Sequence, residues 1–186
     1  MREIVVSGAE DERDLQGILA LQSQNLEAAL TPVEVASDGF VTVQHDLALL
    51  LEMNQQGPHV IAKHEGRVVG YALVMARTFD DRIAVLKPMI AELARASYHG
   101  AEVNRLRHFI MGQICVGKAF RGQGLFANLY HHMRQCHSSR YELVVTEVSA
   151  RNHRSLRAHQ KVDFQLLHSY RDPSGEPWEL IAWDWS

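Results

Sequence analysis

The chain has 186 residues, 46% of them hydrophobic, which is enough for one compact domain with a sizeable core and leaves little room for two. Nineteen Lys and Arg against 22 Asp and Glu give a formal charge of −3, and no five-residue block of like charge occurs, so a general nucleic-acid clamp is excluded and a polyanionic ligand must be met locally. The longest apolar stretch, Val68 to Ala76, is far shorter than the ~20 residues of a membrane-spanning helix, which argues for a soluble chain and against a membrane partner. The opening MREIVVSGAEDERD lacks the apolar core of a secretory signal, and only Cys115 and Cys136 are present; both features suit a reducing cytoplasm.

Glu3 to Ser7 reads as a strand, and Gly8 to Asp14 as a turn with an acidic helix start. Leu15, Ile18, Leu19, Leu21 and Leu26 recur at helical spacing and predict a helix over 15–30, closed by Pro32. A second apolar-faced helix is expected over Asp46 to Met53. His59 to Lys63 and Val68 to Ala76 then form a hairpin around His64, Glu65, Gly66 and Arg67, with Gly where positive φ is needed. Ile83 to Ser97 reads as a helix starting near Pro88, and the polar stretch Tyr98 to Arg107 as a loop. His108 to Val116 is a strand, Leu125 to Cys136 a helix, Tyr141 to Ser149 a strand and Ser155 to Lys161 a short helix. Phe164 to Tyr170 and Trp178 to Trp185 are strands split by the turn at Asp172, Pro173, Ser174 and Gly175. This order is a mixed α/β layer with some parallel pairing between 108 and 149.

The stretch GKAFRGQGLFANLYHHM places a Gly-rich turn with an arginine between a strand and a helix start. Glycines let the backbone approach an anion, and the free N–H groups of a first helical turn bind negative oxygens, so phosphate is the ligand such a turn suits. An ordinary strand-to-helix turn has the same look. Gly122, Gly124 and Ala127 formally fit a dinucleotide fingerprint, but five residues separate Val116 from Gly122 and fewer than fifty follow Glu142, too few for the rest of a doubly wound sheet. A P-loop is excluded because no G-x-x-x-x-G-K-[ST] run exists.

Arg121, Gly122, Gln123, Gly124 and Leu125, after a strand and before a helix, resemble the Q/R-x-x-G-x-G/A signature of the GCN5-related N-acetyltransferase (GNAT) superfamily, with Phe126 at the sixth position and Ala127 one step later. The run from Glu147-Val148 through Asn152 to Phe164 resembles the family's E-V-x-x-x-N-x-x-A/S-x-x-x-Y-x-K-x-G-F block, with His159 where Tyr is commonest and Asp163 for Gly. Asp tolerates positive φ better than most residues, so the turn can survive. The resemblance implies an acyl-CoA N-acyltransferase fold over 1–186 as one domain, with helices on both faces of a mixed, mostly antiparallel sheet splayed at the acetyl-CoA site. By the same resemblance Arg121, Gly122, Gln123, Gly124, Leu125, Phe126 and Ala127 would hold the acetyl-CoA pyrophosphate. Ile114, Cys115 and Val116 would pair with the pantetheine arm, and Asn152 would cap the short helix and touch that arm.

Acetyl transfer from a thioester to an amine needs a neutral amine, a polarised carbonyl and a proton for the thiolate. The resemblance implies Glu147 as the base, against an ordinary salt-bridged carboxylate. It implies His159 as the acid, against a histidine that only hydrogen-bonds to CoA. Cys115, mid-strand among apolar neighbours, reads as a buried thiol. His131, His132 and Cys136 have partial metal-ligand spacing but lack a second ligand pair, so no metal is expected. The expected activity is direct transfer of acetyl from acetyl-CoA to a primary amine of a small molecule or peptide. The departures at Phe126, His159 and Asp163 leave open a catalytically idle acyl-CoA-binding domain. The acceptor is expected between 15–53 and 77–107, with Asp38, Asp46, Asp80 and Asp81 available to attract a cation. The apolar C-terminal strands, with Trp178, Trp183 and Trp185, suit a homodimer.

Overall fold

A computed structural model of the protein describes residues 3–76, 79, 83 and 86–186. The elements in chain order are β1 (Ile4–Gly8), α1 (Glu12–Ser23), α2 (Pro32–Asp38), α3 (Leu47–Gln56), β2 (Val60–His64), β3 (Arg67–Met75), α4 (Lys87–Leu93), β4 (Ser97–Tyr98), β5 (Ala101–Glu102), β6 (His108–Val116), α5 (Leu125–His137), β7 (Leu143–Ser149), α6 (His153–Gln160), β8 (Gln165–Arg171) and β9 (Pro177–Asp184). Seven strands form one sheet in the order β1-β2-β3-β6-β7-β9-β8. Among the described strands of this sheet only β6 and β7 run parallel; the other neighbouring pairs are antiparallel.

Strand alternation gives the sheet two apolar faces. Ile61, Tyr71, Leu73 and Met75 pack under α1, α3 and α4 with Leu15, Ile18, Leu50 and Met89. Val60, Ala62, Ala72 and Val74 face α5 through Leu125, Leu129, Tyr130 and Met133. Trp183 and Trp185 belong to this second core and are 5% exposed, while Trp178 gives its indole N–H to Asp172 Oδ2 at 3.1 Å. Of the tryptophans expected to support a dimer, Trp183 and Trp185 are thus buried within the chain and Trp178 is half-buried.

Local chemistry moved two expected boundaries. Pro32 does not close a long helix; it begins α2, because Thr31 and Glu34 form a reciprocal capping box at that point. Residues 15–30 accordingly hold most of α1 and a short 3-10 turn, Glu27–Ala29. The helix expected over 83–97 is described only as α4, its beginning lying partly outside the described residues, and the expected loop at 98–107 contains the β4–β5 hairpin. The 59–76 hairpin closes on Glu65 and Gly66 with φ of 52° and 76°, the two positive values that match strand twist in a two-residue turn. Asp163 stands at φ 72°, in the conformation the replaced glycine would take.

Two features of β6 position the site. Its register with β3 shifts between Ala72–Ile114 and Val74–Met111, which puts one extra residue into β6 at Gly112 and Gln113. Its pairing with β7 runs from His108–Leu143 to Ile110–Val145 and stops. Beyond this fork the two strands separate, and Thr146 Oγ1 donates to Met111 O at 2.9 Å at the crotch. Among the described residues, the β7-facing backbone edge of the later part of β6 has no strand partner.

Candidate active site

Two cavities meet at the fork. The larger, about 510 Å³, lies between the turn at 120–127, the end of β6 and α6. The smaller, about 70 Å³, lies on the other side among Gly112, Gln113, Thr146, Glu147, Met89 and Trp178. Phe40, Val41, Ile114, Asn152 and Ser155 border both.

The larger cleft is built mostly of backbone. Gly122 and Gly124 have φ of 76° and 77°, and nothing lies within 4 Å of the place a Cβ would take at either. Gly124 is the N-cap of α5 and brings no side-chain cap, so the first-turn amides of Leu125, Phe126 and Ala127 have no partner within the helix. The helix dipole adds positive potential there. Ile114, Cys115, Val116, Arg121, Gly122, Gly124, Leu125, Phe126, Ala127 and Asn152 all line this cleft; Gln123 does not, and its amide donates to Ala119 O at 3.2 Å.

Arg121 lines the cleft with its side chain engaged within the fold. Its Nε donates to Val116 O at 2.9 Å and its Nη2 to Asn25 Oδ1 at 2.7 Å, so the guanidinium ties the turn to β6 and to the chain after α1. Asp38, expected at an acceptor rim, instead stands at the mouth of the larger cleft, 3.0 Å from Lys118, 3.8 Å from Arg121 and 3.9 Å from Arg154. The hydrogen bond from Lys118 holds its carboxyl below the ordinary range. Asp46 caps α3 by accepting from Leu49 N at 2.8 Å, and Asp80 and Asp81 lie outside the described residues.

Asn152 caps α6 through Ser155 N at 3.1 Å, and its Nδ2 donates to Phe40 O at 3.0 Å. The side chain therefore pins the segment after α2 across the fork. Arg151 adds to this strap, with its guanidinium 5.4 Å from the Phe40 ring centroid and 3.1 Å from Glu27.

His159 is 1% exposed under α6. Its Nδ1 lies 2.8 Å from Ser155 O, which can only accept, so that nitrogen carries the proton. Nε2 is then the acceptor for the Tyr130 hydroxyl at 2.8 Å. Burial pushes the imidazole pKa down to about 4. His159 borders the smaller cavity, and in this tautomer both ring nitrogens are engaged within the fold while burial favours the neutral form. Phe126 packs edge-on to this ring at 5.0 Å, which gives the departure at the sixth motif position a packing reason.

Glu147 is the carboxylate of the smaller cavity. Burial pushes its pKa up to about 7, the Asp172 charge adds to the rise, and a hydrogen bond from Tyr170 opposes it. Tyr170 lies on β8, which the fold sets beside β9 and thus one strand away from β7. A carboxyl balanced near neutrality and lining a small cavity can take up and release a proton at neutral pH. Tyr170 had no sequence signal: its partner is 23 residues away and its strand reads as an ordinary edge.

A buried polar network, also silent in the sequence, fixes the bulge of β6. Gln113 Oε1 accepts from Tyr71 OH at 2.6 Å and from Gln22 Nε2 at 2.7 Å, while Gln113 Nε2 donates to Val43 O at 2.9 Å. Gln22 Oε1 accepts from His45 N at 2.8 Å, and its amide donates to His45 Nδ1 at 2.9 Å. Each amide orientation is set by a backbone group, so the network locks the wall at 43–45 to β6. Cys115, 6% exposed, has its thiol pushed up to about 12 by burial and is no nucleophile. Among the described residues no cluster of three or more His, Cys, Asp or Glu could hold a metal ion, and no helix is long and apolar enough to cross a membrane.

The fold is shared with solved N-acetyltransferases. The ribosomal-protein-S18-alanine N-acetyltransferase from Escherichia coli superposes with a TM-score of 0.63 at 14% identity, covering 99% of this chain and 95% of that one. The Drosophila melanogaster polyamine N-acetyltransferase gives 0.66 at 16%, covering 98% and 100%. The NatC complex bound to Gag peptide and CoA gives 0.65 at 13%, covering 98% of each chain. The sequence comparison with curated proteins finds no match. Residues 25–164, well over half of the chain, match the Acetyltransferase (GNAT) family, and the protein belongs to that family.

Proposed function

We propose that the protein is an acetyl-CoA-dependent N-acetyltransferase that passes the acetyl group directly to a primary amine held in the smaller cavity. The observation that carries this reading is the pair of cavities joined at the β6–β7 fork, one lined by free amides and the other by a carboxyl balanced near pH 7. Acetyl-CoA fits the larger cleft on three counts: its volume, the uncapped first turn of α5, and the absence of a Cβ at Gly122 and Gly124. It would supply the acetyl thioester. The amides of 122–127 would meet the pyrophosphate, and the unpaired edge of β6 at Ile114, Cys115 and Val116 would pair with the pantetheine arm and give an N–H to the thioester oxygen as negative charge develops there.

Glu147 takes the proton from the amine. An alkyl ammonium of pKa ~10.4 does not give up a proton at neutrality unaided, and a base near pH 7 performs that transfer without itself being trapped as the acid. Tyr170 orients the carboxylate by donating to Oε2, which leaves Oε1 for the substrate. A thiol of pKa ~8.5 is a good leaving group, so the reaction does not depend on His159 as acid. The hydroxyl of Ser155, on the border of both cavities, is the O–H that the site offers to the thiolate.

A panel of primary amines, including polyamines, amino sugars, amino acids and short peptides, incubated with acetyl-CoA and followed by free-thiol release and mass spectrometry, tests this. An acetylated amine with stoichiometric CoA is expected. Tight acetyl-CoA binding with no turnover on any amine would instead support the idle acyl-CoA-binding domain.

A further inference from the structure

The cations around the larger cleft fall into two groups. Lys118 is 3.2 Å from Glu34 and 3.0 Å from Asp38, and Arg121 is spent on Val116 O and Asn25 with Asp38 nearby. Arg154, at the start of α6, is 3.9 Å from the same Asp38. Further along, Arg157 on α6 and Lys161 at its C-cap also line the cleft, are exposed, and have no ion-pair partner among the described residues. They are four apart and so lie on one helical face, with Ala158 beside them leaving the wall low.

The helix sets the scale. At ~1.5 Å per residue, Lys161 lies ~13 Å along α6 from Asn152, which stands at the fork. A ligand whose thioester lies at the fork and whose pyrophosphate meets the α5 amides needs no further cation for those parts. One charged group of that ligand remains, a phosphate monoester bearing about two negative charges near neutrality. A dianion in a water-exposed place is held by unneutralised Arg and Lys side chains, and the guanidinium can meet it with two parallel N–H donors.

We infer that Arg157 and Lys161 form a subsite for the 3′-phosphate of the coenzyme, which makes the enzyme selective for acetyl-CoA over acetyl-dephospho-CoA. The inference rests on the acetyl-CoA reading above. The subsite lies outside the backbone cradle of the turn, and Glu34 and Asp38 explain why Lys118 and Arg121 on the other wall do not duplicate it: their charge is already balanced.

Calorimetric titration of the intact protein with acetyl-CoA and with acetyl-dephospho-CoA tests it, in the wild type and in the Arg157→Ala/Lys161→Ala double variant. The wild type should bind acetyl-CoA about tenfold more tightly than the dephospho form. The double variant should lose that preference while its affinity for acetyl-dephospho-CoA stays within about twofold, which also shows that the cleft is still folded. Equal losses for both ligands would assign the pair to the pyrophosphate and overturn the inference, as would an unchanged preference or none in the wild type. A wild type that binds neither ligand would overturn the acetyl-CoA reading itself, a result distinct from any of these.

Discussion

The two cavities at the fork are built on different principles. The larger one relies on backbone: two glycines at positive φ, an uncapped helix start and a bare strand edge, all within residues 114–127. The smaller one relies on side chains from separate parts of the chain, with Glu147 on β7, Tyr170 on β8, Met89 on α4 and Gln113 held by Gln22 and Tyr71. Backbone chemistry is compact in sequence and tolerant of neighbours. Side-chain chemistry depends on what the fold brings together.

Substitutions can test that contrast from both sides. The largest effect is expected of Glu147→Gln, which should lower kcat by about 10²–10³-fold while leaving calorimetric acetyl-CoA affinity unchanged. The same variant should gain stability at pH 8. A carboxyl whose pKa is raised from 4.5 to about 7 on folding binds more protons in the folded state, so stability is full below pH 4.5 and declines as pH rises through 7. Removing that burden should add on the order of 2 kcal/mol at pH 8 in denaturant unfolding. A loss of activity accompanied by a loss of stability would mean Glu147 is a structural residue.

His159→Ala should act on the fold. It leaves a cavity under α6 and strips the buried Tyr130 hydroxyl of its acceptor, for a loss of roughly 3 kcal/mol in chemical denaturation. Below its unfolding temperature the variant should keep most of its kcat; a collapse of kcat in a folded variant would restore the acid role. Gly124→Ala should weaken acetyl-CoA binding about tenfold, because a residue with a Cβ resists φ 77° and the methyl enters the open cleft. Tyr170→Phe should have the smallest effect. It removes the hydrogen bond that holds the Glu147 pKa down, so the acidic limb of the rate profile should move to higher pH. Activity should fall several-fold at pH 7 and recover near pH 9.

The same division explains how much could be read from the sequence. The glycine turn was legible because positive φ and free amides require particular residues at adjacent positions, and Gly122 and Gly124 stand at those positions. Asp163 was legible for a similar reason. The β6–β7 parallel pair followed from a strand, a helix and a strand in succession. The surroundings of His159 were not legible, because its motif position says nothing about burial, and burial with two hydrogen bonds favours the neutral ring. The contacts of Arg121 had no sequence signal, because Asn25, Asp38 and Val116 O reach it only in the folded chain. Tyr170 and the Gln22–Gln113–Tyr71 network carry no spacing at all, since their partners come from distant segments. Pro32 shows the local version of the same difficulty: a proline ends one helix pattern or starts another, and the Thr31–Glu34 capping box decides which.

The claim on which the rest depends is that a carboxyl of raised pKa in the smaller cavity deprotonates the amine. The pH dependence of kcat/KM, measured with acetyl-CoA saturating and the best amine from the panel varied, reports on it directly. The wild type should show a limb of unit slope bending near pH 7 that is absent in Glu147→Gln, whose low rate should follow only the ionisation of the amine. An identical bend in both proteins would place the base elsewhere and contradict the account.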